Sequence, residues 1–425
     1  MKLLLKQGHL VDPAAGVDEI CDILVEDGKI AAVGRLATPQ GAELRDCGGR
    51  YIFPGLIDMH VHLRDPGLTR KETLTTGAAA AAAGGYTTIC PMPNTCPATD
   101  SGEKIAALLA RSQKEACVNI LPISAVTLDQ AGNELVDIAS VKRAGAIGLS
   151  EDGKSVMDIR LYREAMKQAK ERDMLVLAHC EEKQLVGNGV INAGAKAEEL
   201  SIPGISNAVE DVIAARDIFL AGETGARLHL CHCTTKATVG LVKLAKELGY
   251  SVTAEVCPHH LALCDEDIPG DDGSYKMNPP LRSREDMLAV RQGLADGIMD
   301  VISTDHAPHT AEEKAGGFLG TPFGIVGLET SFALCYTTLV RGGYMTLSKL
   351  ISCMSARPAQ ILGISRGTLA VGSTADLCIA DLSEYEIDPE RFASKGRNTP
   401  FGGRRVWGKI TATMVNGRFV YEAQP

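Results

Sequence analysis

Several features are scarce or missing in this 425-residue sequence, and each absence excludes a class of protein. Basic residues do not outnumber acidic ones, because 43 Lys and Arg face 53 Asp and Glu, for a formal net charge of -10. This balance gives no electrostatic basis for binding nucleic acid or an anionic membrane, and it favours a small-molecule partner. No window approaches the roughly 18 uninterrupted apolar residues of a membrane helix.

Signals for secretion and for disulfide bonding are also missing. The apolar opening run is broken by Lys6, too early for a signal peptide. The thirteen cysteines are odd in number and lie in apolar runs, which predicts reduced core residues of a cytoplasmic protein. Cys231 and Cys233 could form a soft metal pair, but we prefer the structural interpretation, because His232 between them would face the other side of a strand.

Both ends of the chain carry hairpin signals. Asp27-Gly28 separates two strand-like runs near the N-terminus, and Asn416-Gly417 does so near the C-terminus. Each end is too short to bury a core separately, so we expect the two to pair into one small β-sandwich. This composite domain would comprise residues 1–54 and 366–425.

The middle of the chain, residues 55–365, alternates strand-like and helical patterns. Eight strand-like runs are recognisable: 54–62, 87–93, 118–126, 146–152, 175–180, 227–233, 252–258 and 301–305. Eight such units predict an α/β fold with a (β/α)8 barrel of the TIM type. The Ala-rich helix after the first run is predicted to end at Gly84-Gly85.

Polar side chains end most of these runs, and active sites of such barrels lie at the C-terminal ends of the strands. Alternation sends His60 and His62 to one face, where two imidazoles suit a divalent transition metal. In chain order the side chains at the strand ends are His60 and His62, Asn94, Asp152, His179, His232 and Asp305. The series predicts a binuclear metal site, with a metal-activated hydroxide as the nucleophile.

Other histidines are assigned outside this site. The three-residue offset of His229 from His232 turns it toward the opposite face, where a buried, hydrogen-bonded histidine is expected. His259 and His260 follow the seventh run beside Pro258, and His306 adjoins Asp305, so supporting or structural roles are expected for all three.

The segment Asp58–Gly67 resembles the opening motif of the amidohydrolase superfamily, and its part Leu63–Gly67 resembles the long bacterial type of the dihydroorotase family. The resemblance returns, in order, in Pro91–Thr95, Glu255–Leu261, Lys276–Arg282, Ser303–His309 and Gly327–Thr330. It therefore extends from the first quarter of the chain to beyond residue 330.

The resemblance implies how the six metal ligands divide. The expected groups are His60 and His62 with Asp305 on one ion, His179 and His232 on the other, and Asp152 as the bridge. Related cyclic-amide hydrolases use a carboxylated lysine as the bridge, whereas Lys154 here lies two residues beyond Asp152. Zinc, one or two ions per chain, is the expected metal, although spacing alone does not exclude cobalt or manganese.

The remaining polar positions suit an anionic substrate. The planar guanidinium of Arg64 matches a carboxylate, and its alternative role is an ion pair with Asp65. The resemblance implies that the substrate carboxylate is held by Arg64, Asn94 and His309, and the ring amide by Asn278 and the backbone of Pro322, Phe323 and Gly324. The glycine-rich segment 315–324 is predicted to be a mobile lid.

These features together imply the dihydroorotase reaction, the reversible cyclisation of N-carbamoyl-L-aspartate to L-dihydroorotate plus water in de novo pyrimidine (UMP) biosynthesis. Asp305 would take the hydroxide proton during ring opening and pass it to the leaving nitrogen. Alternatives are another cyclic-amide hydrolase, such as a hydantoinase or allantoinase, and a non-catalytic subunit that scaffolds aspartate transcarbamoylase. We expect a homo-oligomer, with aspartate transcarbamoylase as a candidate partner.

Overall fold

In the computed structural model, which describes residues 2–424, the N-terminal part of the chain forms five strands. They are β1 (Lys2–Asp12), β2 (Val17–Glu26), β3 (Lys29–Gly34), β4 (Glu43–Asp46) and β5 (Tyr51–Pro54). Strands β2 and β3 pair antiparallel around Asp27-Gly28, whose φ angles of 49° and 80° suit a tight hairpin turn. The predicted N-terminal hairpin is therefore confirmed.

The central part of the chain alternates strands and helices. Its strands are β6 (Leu56–Val61), β7 (Tyr86–Pro91), β8 (Asn119–Ile120), β9 (Ile123–Ala125), β10 (Gly148–Ser150), β11 (Leu175–Ala178), β12 (Ile191–Asn192), β13 (Gly204–Ile205), β14 (Arg227–Leu230), β15 (Val252–Val256) and β16 (Val301–Ile302). All except β12 and β13 belong to two parallel sheets, β6-β7-β8 and β9-β10-β11-β14-β15-β16. The run that holds β8 and β9 is interrupted at Leu121 and Pro122, so the pair counts as one barrel strand.

The barrel closes between its first and last strands. Val61 and His306 form a parallel bridge, and the backbone N–H of His62 donates to the carbonyl of His306 at 2.8 Å. Each of the eight predicted runs contains one strand of this barrel, but the strands are shorter than the runs. Beyond β14 and β16 the reason is local: His232 and Asp305 have φ angles of 35° and 48°, which turn the backbone away from the ladder.

Helices surround the barrel and cover its loops. They are α1 (Leu74–Ala83), α2 (Gly102–Glu115), α3 (Ile138–Ala144), α4 (Ile159–Glu171), α5 (Lys183–Val186), α6 (Ala195–Leu200), α7 (Ala208–Thr224), α8 (Lys236–Glu247), α9 (Pro258–Ala262), α10 (Arg284–Ala295), α11 (Ala311–Lys314), α12 (Ser331–Cys335), α13 (Leu347–Ile351) and α14 (Arg357–Leu362). The side chain of Thr73 caps the N-terminus of α1, and the helix ends at Gly84, as predicted.

The C-terminal part returns to the first sheet with β17 (Leu377–Glu386), β18 (Arg405–Val415) and β19 (Arg418–Glu422). The strand order is β19-β18-β17-β5-β1-β2-β3, with β4 paired to β1. Residues of both chain ends, among them Leu5, Ile23, Leu377 and Met414, share one apolar core. The predicted fold class, a (β/α)8 barrel with a small β-sandwich built from both chain ends, is confirmed.

Two expectations from composition concern the chain as a whole. All thirteen cysteines are free thiols, and all except Cys96 and Cys117 are buried, as expected for reduced core residues. Within residues 2–424, no helix combines the length and the apolar character needed to cross a membrane.

Candidate metal centre and substrate pocket

Six buried side chains converge at the C-terminal end of the barrel. They are the six predicted ligands: His60, His62, Asp152, His179, His232 and Asp305. In one half of the cluster, Nε2 of His62 lies 2.9 Å from Oδ1 of Asp305. Nε2 of His60 lies 3.5 Å from the same Asp305 oxygen and 3.2 Å from Oδ1 of Asp152. The first three expected ligands therefore face one point.

The other half of the cluster is built from β11 and β14. Nδ1 of His179 lies 2.8 Å from Nε2 of His232. Oδ1 of Asp152 is 3.5 Å from the His179 nitrogen and 3.7 Å from the His232 nitrogen. Because this oxygen also faces His60, Asp152 lies between the two halves, where a bridging ligand belongs.

The donor set fits a divalent cation. Nε2 of His60 and Oδ1 of Asp152 are buried and have no hydrogen-bond partner among residues 2–424. Such atoms are costly to bury unless an ion or water satisfies them. The ligand atoms of His60, His62 and Asp305 lie within 4.8 Å of one another, as do those of His60, Asp152 and His232. Imidazole nitrogens and carboxylate oxygens are suitable ligands for a transition metal.

Electrostatics keep both carboxylates of the cluster ionised. Burial alone would raise the pKa of Asp152, but His60, His179 and His232 hold it well below its usual range. Burial likewise opposes ionisation of Asp305, yet His60 and His62 keep its pKa below the ordinary value. Both side chains can therefore act as anionic ligands at neutral pH.

Lys154 does not take the bridging position of a carboxylated lysine. Its Nζ donates to the carbonyl of Gln130 at 2.9 Å. This contact directs the amine into the turn that holds Gln130, whereas the carboxylate of Asp152 is already among the histidines. The geometry is consistent with Asp152 as the bridge.

Glu255 contacts the cluster, and the sequence analysis did not single it out. Its Oε1 accepts from Nδ1 of His60 at 2.7 Å and from the backbone N–H of His232 at 3.1 Å. Its Oε2 lies 3.1 Å from Nε2 of His229, whose Nδ1 contacts Thr253. A carboxylate that holds the second nitrogen of a metal-binding histidine fixes the ring orientation. The available signal was a lone glutamate inside the apolar strand β15.

The expectation for His229 holds in part. It is buried and hydrogen-bonded, as predicted. However, it does not face away from the site, because Glu255 connects it to His60. The one-in-two alternation that separates His229 from His232 is lost where β14 ends at Leu230.

Two further polar side chains orient cluster histidines. Asn94 accepts from Nδ1 of His62 at 2.9 Å, and its amide nitrogen lies 3.3 Å from Oδ2 of Asp152. Glu181, which the sequence analysis missed, lies 3.6 Å from Nε2 of His179 and accepts from the amide of Asn278 at 2.5 Å. Asn94 therefore contacts the metal cluster itself, and Glu181 connects the cluster to a predicted substrate residue.

Arg64 and His309 form the neighbouring pocket. Nε of Arg64 donates to the carbonyl of Pro308 at 3.3 Å, and its guanidinium lies 3.4 Å from Nε2 of His309. The alternative role of Arg64, an ion pair with Asp65, is wrong. Asp65 instead receives both terminal nitrogens of Arg111, at 2.7 and 2.9 Å. Arg64 is half-buried, and within residues 2–424 no carboxylate lies at hydrogen-bond distance from it, as expected for an anion-binding residue.

His309 is held in one protonation state. Its Nε2 donates to the carbonyl of Phe323 at 2.8 Å, which leaves Nδ1 as an acceptor for Nζ of Lys71 at 3.2 Å. Burial, together with the charges of Arg64 and Lys71, lowers the pKa of His309 to about 3. The imidazole is therefore neutral at physiological pH, and Lys71 adds a cation that the sequence analysis did not assign.

The other histidines near the barrel mouth lie outside the cluster, as predicted. Nε2 of His260 donates to the carbonyl of Pro279 at 2.8 Å. Nδ1 of His306 accepts from the backbone N–H of Gly327 at 3.2 Å, and its Nε2 faces Glu72 at 3.4 Å. Burial lowers the pKa of His259 to about 4, so this ring is neutral.

The predicted lid, residues 315–324, is fastened by two buried lysines. Nζ of Lys276 donates to the carbonyls of Phe318 and Thr321 at 2.5 and 2.6 Å. Nζ of Lys314 donates to the carbonyls of Pro322 and Gly324, each at 3.0 Å. The glycine content of this segment suggests mobility, but four of its carbonyls accept hydrogen bonds from lysines outside the segment.

The chain matches protein families over most of its length. Residues 49–238 match a family described as dihydro-orotase-like, and residues 320–421 match the amidohydrolase family. A curated dihydroorotase of Bacillus cytotoxicus is 47% identical over 425 residues, which cover 100% of this chain and 99% of the relative. A dihydroorotase of Pelotomaculum thermopropionicum is 49% identical over 424 residues, covering 99% of each.

Solved structures with the same fold carry other names. An L-hydantoinase (dihydropyrimidinase) from Arthrobacter aurescens has a TM-score of 0.87 at 28% identity and covers 100% of this chain and 96% of that one. A dihydropyrimidinase from Brevibacillus agri NCHU1002 has a TM-score of 0.87 at 25% identity, with coverage of 99% and 95%. The fold is thus shared well beyond the range of high sequence identity.

Proposed function

Because this chain belongs to the dihydroorotase family, we propose that its buried metal cluster and the adjoining Arg64 pocket form the active site for its reaction. The reaction is the reversible cyclisation of N-carbamoyl-L-aspartate to L-dihydroorotate plus water, in de novo pyrimidine synthesis, as predicted from the sequence. One observation carries the site assignment: six predicted ligands from the ends of the barrel strands converge, and three of their buried atoms lack a hydrogen-bond partner within the described chain.

The family implies a divalent metal, and zinc, one or two ions, is our proposal for its identity. His60, His62 and Asp305 would hold one ion, His179 and His232 the other, with Asp152 between them. A bound divalent metal supplies Lewis acidity toward the amide carbonyl and lowers the pKa of water. Cobalt and manganese also accept these ligands, so elemental analysis of the purified protein decides the identity.

Asp305 is the proposed acid and base. During ring opening, its carboxylate takes a proton from the attacking water, and the water oxygen bonds to the amide carbon. The proton then passes to the ring nitrogen as the carbon–nitrogen bond breaks. Ring closure reverses these steps. The short contact with His62, 2.9 Å, holds the Asp305 carboxylate at the mouth of the barrel.

The substrate would be held at two places. Its carboxylate would bind to Arg64 and His309, which adjoin one another, and to Asn94, which contacts His62 of the metal cluster. The ring amide would contact Asn278 and the backbone of Pro322, Phe323 and Gly324, which Lys314 and His309 hold in place. Glu181 orients Asn278 from the side of His179.

Turnover assays separate this function from its rivals. The purified protein should convert dihydroorotate and N-carbamoyl-L-aspartate, and act weakly or not at all on hydantoin or allantoin. Faster turnover of hydantoin than of dihydroorotate would support the hydantoinase alternative, in agreement with the similar structures. A stable protein with neither metal nor turnover would support the non-catalytic alternative and sink our proposal.

Location, assembly and domain division are further proposals. Thirteen free thiols are compatible with the reducing cytoplasm, where we place the protein.

Val212 and Phe219 lie seven residues apart on α7 and are 50% and 53% exposed, which supports a homo-oligomer that covers this face. An association with aspartate transcarbamoylase is tested by co-purification. Residues 1–54 with 366–425 would form one domain and 55–365 the other.

A further inference from the structure

The connection between β17 and β18 is much longer than its topology requires. The two strands are antiparallel neighbours, so a hairpin loop of about two to five residues would join them. Residues 387–404 instead leave the sheet, travel to the mouth of the barrel and return. Long connections of this kind are usually functional. We refer to residues 393–398 of this connection as the strap.

Two carboxylates of the barrel, the half-buried Glu329 and the buried Glu72, anchor the beginning of the strap. Glu329 accepts from the backbone N–H groups of Ala393 and Ser394 at 2.9 and 3.1 Å. Glu72 accepts from the hydroxyl of Ser394 at 2.5 Å, and it also faces His306. The strap therefore starts from a fixed position on the barrel.

Asn398, at the end of the strap, contacts the substrate pocket directly. Its side-chain oxygen accepts from the backbone N–H of His309 at 3.0 Å. Its side-chain nitrogen donates to the carbonyls of Ala307 and Gly324, each at 3.1 Å. Its backbone carbonyl accepts from Val326 at 3.0 Å. The residue is 6% exposed and connects both sides of the loop that carries His309 and Gly324.

Gly396 allows the strap to approach this loop closely. A Cβ atom at Gly396 would lie 2.7 Å from Cβ of Pro308, 2.8 Å from Cγ1 of Val326 and 2.9 Å from the Asn398 side-chain oxygen. Contacts this short are not tolerated in a packed interior, so the loop or the strap would have to move.

We propose that Asn398 is a positioning residue for substrate binding. Through Asn398, the strap between β17 and β18 fixes the relative placement of His309 and Gly324. The inference rests on the proposed roles of these two residues in holding the substrate carboxylate and ring amide. An amide side chain suits the task because it offers an acceptor and two donors on one rigid plane. Misplacement of binding groups by about 1 Å is enough to reduce turnover strongly.

The test is a comparison of kinetic constants in both directions of the reaction. Asn398→Ala should raise the KM for dihydroorotate and for N-carbamoyl-L-aspartate by about tenfold or more. The change in kcat and in bound metal should be smaller than about threefold, because Asn398 touches no metal ligand. Asn398→Asp keeps the acceptor for His309 but turns an oxygen toward two carbonyls, so its KM should rise as well. Gly396→Ala should raise KM by displacement of the strap.

The matched control is Thr413→Val. The Thr413 hydroxyl donates to the carbonyl of Ala82 at 2.6 Å, so it is also a buried bond between the sheet and the barrel. Its loss should lower thermal stability and leave KM unchanged. The inference would be overturned if the KM of Asn398→Ala equalled that of the wild type. It would also be overturned if the KM of Thr413→Val rose as much as that of Asn398→Ala.

Hydrogen exchange provides a readout that does not depend on turnover. The backbone of residues 307–326 should exchange faster in the Asn398 variants than in the wild type and the Thr413 control. If the wild type fails to turn over dihydroorotate, the proposed function fails, and exchange in this segment still tests the positioning role. If Asn398→Ala does not fold, Asn398→Asp and Gly396→Ala carry the comparison. Hydrogen exchange that is unchanged in all Asn398 variants would refute the positioning role of Asn398.

Discussion

At the scale of single residues, the histidines of the barrel divide by their partners. His60 and His62 direct Nε2 into the metal cluster, whereas His229 reaches it only through Glu255. Replacing His60 or His62 with Ala should lower bound metal and turnover by at least about tenfold, because a direct ligand is lost. His229→Ala should leave metal content nearly intact. Elemental analysis of the three variants checks this division, and equal metal loss in all three would show it to be wrong.

Arg64 is expected to act through its geometry as well as its charge. It lies beside His309, no carboxylate of residues 2–424 is at hydrogen-bond distance from it, and Asp65 forms its ion pair with Arg111. Arg64→Lys keeps the charge but loses the planar fork. The loss of one charge-assisted hydrogen bond, about 1.5–3 kcal/mol, predicts a fall in kcat/KM of about 10- to 100-fold with metal retained. Steady-state kinetics of this variant that match the wild type would remove Arg64 from the site.

Asp305 should give the two reaction directions opposite pH profiles. Ring opening needs its unprotonated carboxylate, so the rate should rise as pH rises through the apparent pKa of the site. Ring closure needs the proton in place, so its rate should fall over the same region. The inflection belongs to the coupled cluster, in which His60 and His62 oppose the effect of burial on the pKa of Asp305. Asp305→Asn should abolish both reactions. Parallel profiles, or an active variant, would falsify this role.

At the scale of elements, the segment 315–324 depends on Lys314. Its ammonium donates to three carbonyls at 3.0 Å, those of Lys276, Pro322 and Gly324. Lys314→Met would remove all three hydrogen bonds, and the carbonyl of Pro322 would lose the lysine as its donor, at a cost of about 1–3 kcal/mol. We expect faster hydrogen exchange in residues 315–324 and a higher KM.

Lys246→Met is the control for this variant. Lys246 donates to the carbonyl of Ile298 at 2.6 Å, at a distance from the predicted substrate residues. The Lys246→Met variant should leave hydrogen exchange in residues 315–324 unchanged. Slow exchange of this segment in Lys314→Met would mean that the lysine does not hold it, and that the glycine-rich sequence is ordered by other contacts.

At the scale of the whole molecule, buried neutral histidines make the fold sensitive to acid. Burial lowers the pKa of His259 to about 4 and that of His309 to about 3, whereas an unfolded histidine titrates near about 6.5. Below about pH 6.5 the unfolded state therefore binds protons that the folded state does not, so the free energy of unfolding falls as pH falls toward 3.

Thermal midpoints between pH 8 and pH 4 check this dependence. The wild type should lose stability across the range, and His309→Asn should show a shallower decline, because one of the three histidines with lowered pKa, His259, His260 and His309, is absent. An identical slope in both proteins would show that His309 does not contribute. His309→Asn should also raise KM, since it loses the contact with Phe323.

Local sequence patterns were enough to predict the architecture and which residues meet in the cluster. Strand periodicity and the turn residues Asp27-Gly28 and Asn416-Gly417 act over a few neighbouring residues, so eight barrel strands and two hairpins could be recognised without tertiary contacts. The ligands could be recognised because they stand at the ends of these strands, and the barrel brings such ends together. The roles in the reaction came from the resemblance to a family.

The contacts that orient these residues could not be predicted from the sequence, because they arise from packing between separate segments. Glu255, Lys276 and Asn398 are separated by many residues of chain from their respective partners, His60, the carbonyls of Phe318 and Thr321, and His309. Such contacts follow no local period, since they depend on how loops pack at the barrel mouth. The exact strand ends were decided in the same way, because the backbone leaves the ladder where a side chain must turn inward. The sequence pattern therefore predicts which side chains meet at the site, and tertiary packing determines how these side chains are oriented.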